Sequence, residues 1–501
     1  MKTRGKNTVA LGTLLMVAVT WLLCYQYQRS VWPKKIKKSI PVIFPKSFEL
    51  HQPMNGEKFL SYLPHSGFHN QRIELENALL LAAYLNRTLL VPPVFLASPS
   101  MPWLRYEKLY ERLLLQTKDG LEDCVSLHPN MPLPSECLNN FKYTNIPWTF
   151  FFNLTDINTV VPLVFREEIN YEWLYSHLEI KRSDIYFFKD RSPYEYQIRD
   201  DMSLDLPLDR FNSSVDLEAI KEIKHRVLHF GSLFGSYRIL AETEAHAELL
   251  RTIRSKMIFR NPVLFDAAKK IVDQLGGTGS FVGMHIRVGD GIFKRTASIL
   301  VDDIYHDLID KFTDLDVEQV ARYEGGYEQH DHDRTENTEY EVKLRNHSPI
   351  DNKKNYARPI TVHHSEPLPT MKAELAKHPA CQRGDAITSK FRNTVLYIAT
   401  DAPKPREHPL LQKLFRVFPC VFTLDDFNGL EEVKRLEVVQ ERVKLESYLI
   451  PMVDAIISAH GHTFMGTPHS TFTSYIERQL HPIYNGGQVQ VMGLEEYLAL
   501  E

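Results

Sequence analysis

At 501 residues, with 43% apolar and 24% charged side chains, the chain is globular and too long for one core, so two domains are expected. Its formal net charge of −4 supplies no global basic field, which argues against nucleic acid as a partner.

Thr8 to Tyr25 is uncharged and about long enough to span a thin bilayer. Val19-Thr20-Trp21-Leu22 lacks the small residues of a cleavage site, so the stretch reads as a single-pass signal anchor behind a tail of residues 1–7. Basic residues flank it on both sides, Lys2, Arg4 and Lys6 before it and Arg29, Lys34, Lys35, Lys37 and Lys38 after it. By charge alone the bulk of the protein would stay in the cytoplasm. Residues 26–47 are basic, Pro-punctuated and aperiodic, which suits a stem.

Two domains are expected beyond the stem, at 48–250 and 251–501. Phe59–Leu63 reads as a strand, Pro64–Arg72 as a polar turn, Ile73–Asn86 as an apolar helix and Thr88–Val91 as a strand stopped by Pro92-Pro93, a βαβ opening. An amphipathic helix at Asn261–Leu275 ends in Gly276-Gly277-Thr278-Gly279. That cluster precedes a strand, so it is a helix-terminating turn and not a dinucleotide fingerprint. Strands at Phe281–Arg287, Val395–Thr400 and Cys420–Thr423 follow, with helices near Pro405–Val417 and Val433–His460 and a last helix from about Ser470. Between them, about 314–390 is polar and aperiodic and reads as an insertion on an outer face, partly disordered. The spacing of its His330–Asp333 run fits no regular metal site.

Of five cysteines, Cys24 belongs to the span. Cys124 and Cys137 bracket a Pro-rich loop, and Cys381 and Cys420 flank the predicted strand Val395–Thr400. An even set behind a membrane anchor fits disulfides in an oxidising lumen, although four cysteines allow three pairings and can equally be free core thiols. Sequons at Asn86, Asn153, Asn212 and Asn346 point the same way. Set against the charge flanks, these features favour a luminal protein of the Golgi or endoplasmic reticulum membrane.

Chemistry concentrates in four loops that close strands. Phe281 to Asp290 delivers His285, Arg287 and Asp290 in H-x-R-x-x-D order, with His285 and Arg287 on one face of a strand at the edge where open α/β sheets hold ligands. Arginine there offers a permanent charge and a planar fork matched to phosphate oxygens. Gly67, Phe68 and Asn70 open the first helix, and Ser470, Thr471 and Phe472 another, so backbone N–H groups at both starts can hold a diphosphate. Asp401 ends a strand and can accept from a nucleobase edge or ribose. Each loop also has a plain structural explanation: Ser470 and Thr471 as N-caps, Asn70 as a turn residue, Asp401 as a cap ahead of Pro405.

GFHNQR with the helix and L-N-R-T-L-x-V-P-P that follow it resembles the first motif of the GDP-fucose protein O-fucosyltransferases. VGMHIRVGDGIF looks like their H-x-R strand, and its Asp290 also matches the H-x-R-x-x-D of the alpha-1,6-fucosyltransferases; YIATDAP and FMGTPHSTFTSYIER resemble the third and fourth blocks. The likeness covers about 55–95 and 225–485, with about 100–220 unmatched. It implies a GT-B fold of two facing Rossmann-like domains and inverting, metal-independent transfer from GDP-fucose to a protein or glycan hydroxyl, with no cofactor. By residue it implies Arg287 on the β-phosphate, Asn70 against the diphosphate, Asp401 on guanosine, and Ser470, Thr471 and Phe472 completing the pocket. In one branch of the family an acid precedes the Gly-Phe of the first motif; Ser66 stands there in this chain, which leaves Asp290 as the candidate base, with orienting Arg287 as its other role. His285 reads as a strut under the loop, and of Glu74 and Glu76 at least one reads as a solvated helix residue. Two alternatives stay open: a luminal sugar- or nucleotide-binding protein that has lost turnover, and a transferase using another nucleotide sugar.

Overall fold

The structure, a computed structural model, describes residues 39–42 and 51–491 apart from 117, 119, 129–130, 204–205, 209, 241–242, 290, 325–359, 363–367 and 382–388. The predicted span Thr8–Tyr25, Asp290, Asn346 and the His330–Asp333 run lie outside the described residues. Among the described residues no helix is long and apolar enough to cross a membrane.

Near-continuous apolar runs covered on both faces mark parallel strands, and such runs form the central strands of two five-stranded sheets. The first contains β1 (Phe59–Tyr62), β2 (Thr88–Val91), β3 (Leu163–Phe165), β4 (Ile185–Phe188) and β5 (Val227–Phe230), all parallel, in the order β3-β2-β1-β5-β4. The second contains β6 (Val282–Ile286), β7 (Ile360–Val362), β8 (Val395–Thr400), β9 (Cys420–Phe422) and β10 (Thr463–Gly466), in the order β7-β10-β6-β8-β9. There β6 runs parallel to β8 and β10, and β7 lies antiparallel on the edge. Both sheets belong to one compact unit, Pro41–Glu501.

Six helices matter for the site: α1 (Phe68–Tyr84), α2 (Glu244–Lys256), α3 (Pro262–Gln274), α4 (Gly291–Phe312), α5 (Glu446–Ala459) and α6 (Thr471–Tyr475). Gly283 lets α5 lie directly on β6, because a Cβ there would overlap the carbonyl of Ser458, whose hydroxyl donates to Met284 O at 3.2 Å. Gly276 and Gly277, at φ +110° and +106°, turn the chain out of α3, as the Gly cluster predicted.

Two expectations fail for local reasons. The helix near Pro405–Val417 is a 3-10 turn at Pro405–Glu407 and a separate helix at Gln412–Val417, because His408 precedes Pro409 and is pushed into extended backbone. The helix near Val433–His460 is a 3-10 turn, an antiparallel pair of Leu436–Val438 with Val443–Lys444, and then α5. Leu436 and Val438 are buried on either side of a half-buried Glu437, the two-residue period of a strand. The segment read as an outer insertion supplies the edge strand β7 and a helix at Val317–Tyr323, started by a capping box between Asp316 and Gln319.

Both cysteine pairs are bridged, Cys124 to Cys137 and Cys381 to Cys420. The sequon residues Asn86, Asn153 and Asn212 are all exposed.

Candidate active site at the strand ends

In each sheet the chain reverses its direction of growth next to the first strand, between β1 and β5 and between β6 and β10. The crevice outside the carboxyl ends of such a strand pair is where open α/β sheets place ligands. All four loops at these ends are polar.

Gly67 is the N-cap residue of α1, and the ring of Phe68 is anchored among Trp148, Phe151 and Phe259, with centroids 4.7–6.0 Å away. This aromatic cluster fixes where the helix begins, so Asn70 projects across the crevice and its Oδ1 accepts from Thr471 Oγ1 at 3.0 Å. Two residues 401 positions apart in the chain thereby meet.

At the end of β6, the backbone N–H of Arg287 donates to Thr467 Oγ1 at 3.0 Å. The next two amides, Val288 and Gly289, donate to the two oxygens of Asp401 at 2.8 and 3.1 Å. A Cβ at Gly289 would stand 2.7 Å from Asp401 Oδ2, so a larger residue there requires this carboxylate to shift off its amides. Asp401 thus holds the loop, and its Oδ2 is 3.9 Å from Arg287 Nε. The Arg287 guanidinium lies 4.5 Å above the ring of Phe293 and lines the crevice.

His285 is buried beneath this loop, with Nδ1 2.7 Å from Thr473 Oγ1 and its ring 4.3 Å from that of Phe472. Burial, and then the charge of Arg287, push its imidazole down to about 3. His69, on the other side of Phe472, is likewise pushed well below the ordinary histidine value, by burial first and then by Arg72, His285 and Arg287. Both rings are therefore neutral struts at physiological pH. Ser470 is the N-cap of α6, its Oγ accepting from Thr473 N at 3.4 Å.

The crevice holds a cavity of about 440 Å³, inside the range of small-ligand sites. Among the described residues lining it are five arginines, Arg72, Arg210, Arg254, Arg287 and Arg478, and one carboxylate, Glu76. Glu76 is buried, accepting from Arg72 Nη1 at 2.9 Å, Arg254 Nε at 2.7 Å and Gln479 Nε2 at 3.0 Å. Burial alone would raise its carboxyl; Arg254 and Arg72 more than offset that and hold it below the usual range. Arg72 also lies 4.3 Å above the ring of Tyr475. Glu74 is buried as well, so neither acid is a solvated helix residue as expected: α1 is packed around nearly its whole circumference, and each acid has internal cations or donors.

Of the sequence candidates, Asn70, Arg287 and Thr471 line one cavity. Phe472 and His285 pack behind it, Asp401 and Ser470 brace its loops, and Gly67 and Phe68 set the start of α1. Arg72 and Arg478 stand inside the motifs already quoted but were not singled out, and Arg254 is a helix position with no local signature. Gln479 and Arg478 sit on a π-helical turn, Ile476–Leu480, the kind of irregularity that often marks functional sites. Among the described residues no group of three or more His, Cys, Asp or Glu could hold a metal ion.

Two doubly wound α/β sheets, with five arginines lining one crevice at their switch points, define the class of protein. The family model for GDP-fucose protein O-fucosyltransferases matches residues 133–481, and the chain belongs to this family of glycosyltransferases. It is 38% identical over 99 residues to O-fucosyltransferase 30 of Arabidopsis thaliana, a match covering 19% of this chain and 20% of that relative. The chain thus aligns with about a fifth of the length of that curated protein. Among solved structures it is similar to POFUT1 in complex with GDP-fucose, at 11% identity and a TM-score of 0.35 over 87% of this chain and 97% of that one. NodZ alpha-1,6-fucosyltransferase co-crystallized with GDP gives 11% and 0.33 over 85% and 93%.

Proposed function

We propose that the protein transfers fucose from GDP-fucose to a hydroxyl of a protein or glycan acceptor, with inversion and without a metal, on a GT-B arrangement of two facing Rossmann-like halves. The observation that carries this reading is the Arg287 guanidinium in one cavity with Asn70 and Thr471, within a family whose description names GDP-fucose. As the sugar–phosphate bond breaks, the anomeric carbon gains oxocarbenium character and the nucleotide gains negative charge. Arg287 meets that charge at the β-phosphate with a preorganised fork, and Asn70 and Thr471 donate to the diphosphate. Each oxygen of Asp401 accepts one backbone N–H, which leaves lone pairs for the guanosine. Ser470 and Phe472 shape the pocket behind. Asp290, three residues past Arg287, is the carboxylate the sequence offers beside the site.

Location is part of the same proposal and rests on sequence: Thr8–Tyr25 anchors the chain in a Golgi or endoplasmic reticulum membrane with the catalytic part luminal. The two disulfides fit an oxidising compartment.

Isothermal titration of GDP-fucose, GDP-mannose and UDP-glucose, together with GDP-fucose hydrolysis, tests the reading. Preference for GDP-fucose and release of free fucose are expected. Arg287→Ala should slow hydrolysis by about 10²–10³, and Arg287→Lys should recover only part of it, since a point charge lacks the fork. Equal rates for wild type and Arg287→Ala would refute the assignment.

A further inference from the structure

We propose that the part of the crevice wall formed by Tyr194, Arg210, Phe234 and Tyr237 is the acceptor subsite, and that it takes a pyranose ring of a glycan. This deepens the fucosyl-transfer reading and rests on it. Along the first sheet the cavity wall crosses three successive strand exits: Asn70 after β1, Phe234 and Tyr237 after β5, and Tyr194 after β4. The exits of β1 and β4 are two strand spacings apart, about 10 Å. The residues proposed for the donor come from the β1 exit and from the second sheet; the β5 and β4 exits supply none of them.

These two exits are tied into one wall from behind. Arg238 is fully buried and donates from Nε to Phe234 O at 3.1 Å, from Nη1 to Tyr196 O at 2.7 Å and from Nη2 to Pro193 O at 2.7 Å. One guanidinium thereby joins the loop after β5 to the loop after β4. Asn77, on α1, donates through Nδ2 to Leu233 O at 2.7 Å and to Gly235 O at 3.0 Å, and Gln197 Nε2 donates to Tyr237 O at 3.0 Å. The carbonyls of Tyr194 and Glu195 accept from Asn212 N and Ser213 Oγ, each at 3.0 Å. Every carbonyl from Pro193 to Tyr196 is thus engaged from within the protein, as are those of Leu233, Phe234, Gly235 and Tyr237. An extended peptide is held by main-chain hydrogen bonds, with pockets reading its side chains. Here the carbonyls serve internal donors, and recognition falls to side chains.

Those side chains suit a sugar. The rings of Tyr194 and Phe234 are 6.4 Å apart and, like that of Tyr237, only half-buried. A pyranose presents a flat patch of C–H groups made positive by the neighbouring oxygens, and the negative face of an aromatic ring is its electrostatic partner. Around that patch lie hydroxyl oxygens that need donors. Arg210 lies 5.0 Å over the Tyr194 ring with Nη1 3.4 Å from the Tyr194 hydroxyl, which orients its planar fork on the wall. Arg478 Nη1 donates to Tyr237 OH at 3.1 Å, and Ser236 is exposed on the same lining. Glu76, the one carboxylate among the described lining residues, is already taken by three donors, so the wall offers a ligand donors and ring faces.

In the transfer, one hydroxyl oxygen of the bound sugar bonds to the anomeric carbon as the bond from that carbon to the β-phosphate oxygen breaks. The electron pair leaves with GDP, and the hydroxyl proton passes to water.

The test incubates the full chain with labelled GDP-fucose and an extract of secretory glycoproteins and polysaccharides, then treats the products with reductive alkali and peptide N-glycosidase. Label should be recovered in saccharide chains, as fucose on another sugar. Label recovered as fucitol, the product of fucose attached to Ser or Thr, overturns the glycan assignment and leaves fucosyl transfer standing. Phe234→Leu keeps the apolar bulk and removes the ring face; it should lower the ratio of transfer to donor hydrolysis by about tenfold, as should Arg210→Ala at its exposed position. Phe234→Tyr, which restores the ring, should stay within about threefold of wild type. Unchanged ratios in Phe234→Leu and Arg210→Ala overturn the subsite, as does an equal loss of hydrolysis and transfer, which would assign the wall to the donor. A protein that hydrolyses GDP-fucose and labels nothing in the extract overturns it too, whereas one that does not bind GDP-fucose overturns the functional reading beneath it.

Discussion

Charge braces the cavity wall at Glu76, where one carboxylate serves three donors. Its side chain is 4% exposed and that of Arg72 3%, so Glu76→Ala strands a buried guanidinium. Breaking a buried pair in this way costs about 3–5 kcal/mol, and the cation–π contact of Arg72 with Tyr475 remains to limit the loss. Unfolding entropy of about 2.1 cal/mol/K per residue over the roughly 460 residues of Pro41–Glu501 comes to about 1 kcal/mol/K, so Tm should fall by about 3–5 °C. Calorimetry on Glu76→Ala, Arg254→Ala and the double variant reads both the loss and its coupling. Because Arg254 Nε and Glu76 Oε1 are 2.7 Å apart, the double variant should be less damaged than the sum by about 0.5–3 kcal/mol. A Tm drop below about 1 °C with additive effects would refute the brace.

Gly283→Ala places a methyl group on the Ser458 carbonyl of α5, a backbone atom with no rotamer to yield. Overpacking should cost about 1–3 kcal/mol, visible as a lower Tm that Ser458→Gly does not rescue. Asp454 tests the core by pH: burial pushes its carboxyl up to about 7, although Tyr397 donates to it at 2.5 Å. The folded state therefore binds a proton that the unfolded state releases near 3.8. Stability from this group is full below that value and is lost as pH rises through about 7, by up to about 4 kcal/mol. Asp454→Asn keeps an acceptor for Tyr397, so its Tm should gain on wild type between pH 5 and pH 7.5, by roughly what linkage gives over that window; parallel profiles would contradict the shift.

Much of this arrangement is legible in the sequence where the signal is local. Thr88–Val91 and Val395–Thr400 begin and end where their apolar runs do, because a strand covered on both faces needs no partner to declare itself. His285, Arg287, Asn70 and Thr471 follow from the same logic, each being polar at the end of such a run. Local signals also expose two mistakes: the alternation of Leu436 and Val438 already marks a strand, and Pro409 already breaks the helix before it. What stays hidden is what depends on distance along the chain. Glu76 looks like a surface acid until Arg254, 178 residues away, reaches it. His65 looks like a turn residue until Glu74 and Ser232 close around it.

The same contrast explains how a protein of formal charge −4 can carry an arginine-lined crevice. Net charge describes the far field, whereas a low-dielectric crevice responds to the groups on its walls. Here those groups are arginines, and the two histidines nearest Arg287 are kept neutral by burial. Five arginines thus gather on one wall, with His285 and His69 serving as packing under Phe472. Arg287 is seated there from two sides, its backbone N–H on Thr467 Oγ1 and its Nε 3.9 Å from Asp401 Oδ2, so the wall holds its charge at one point of the crevice instead of spreading it over the surface.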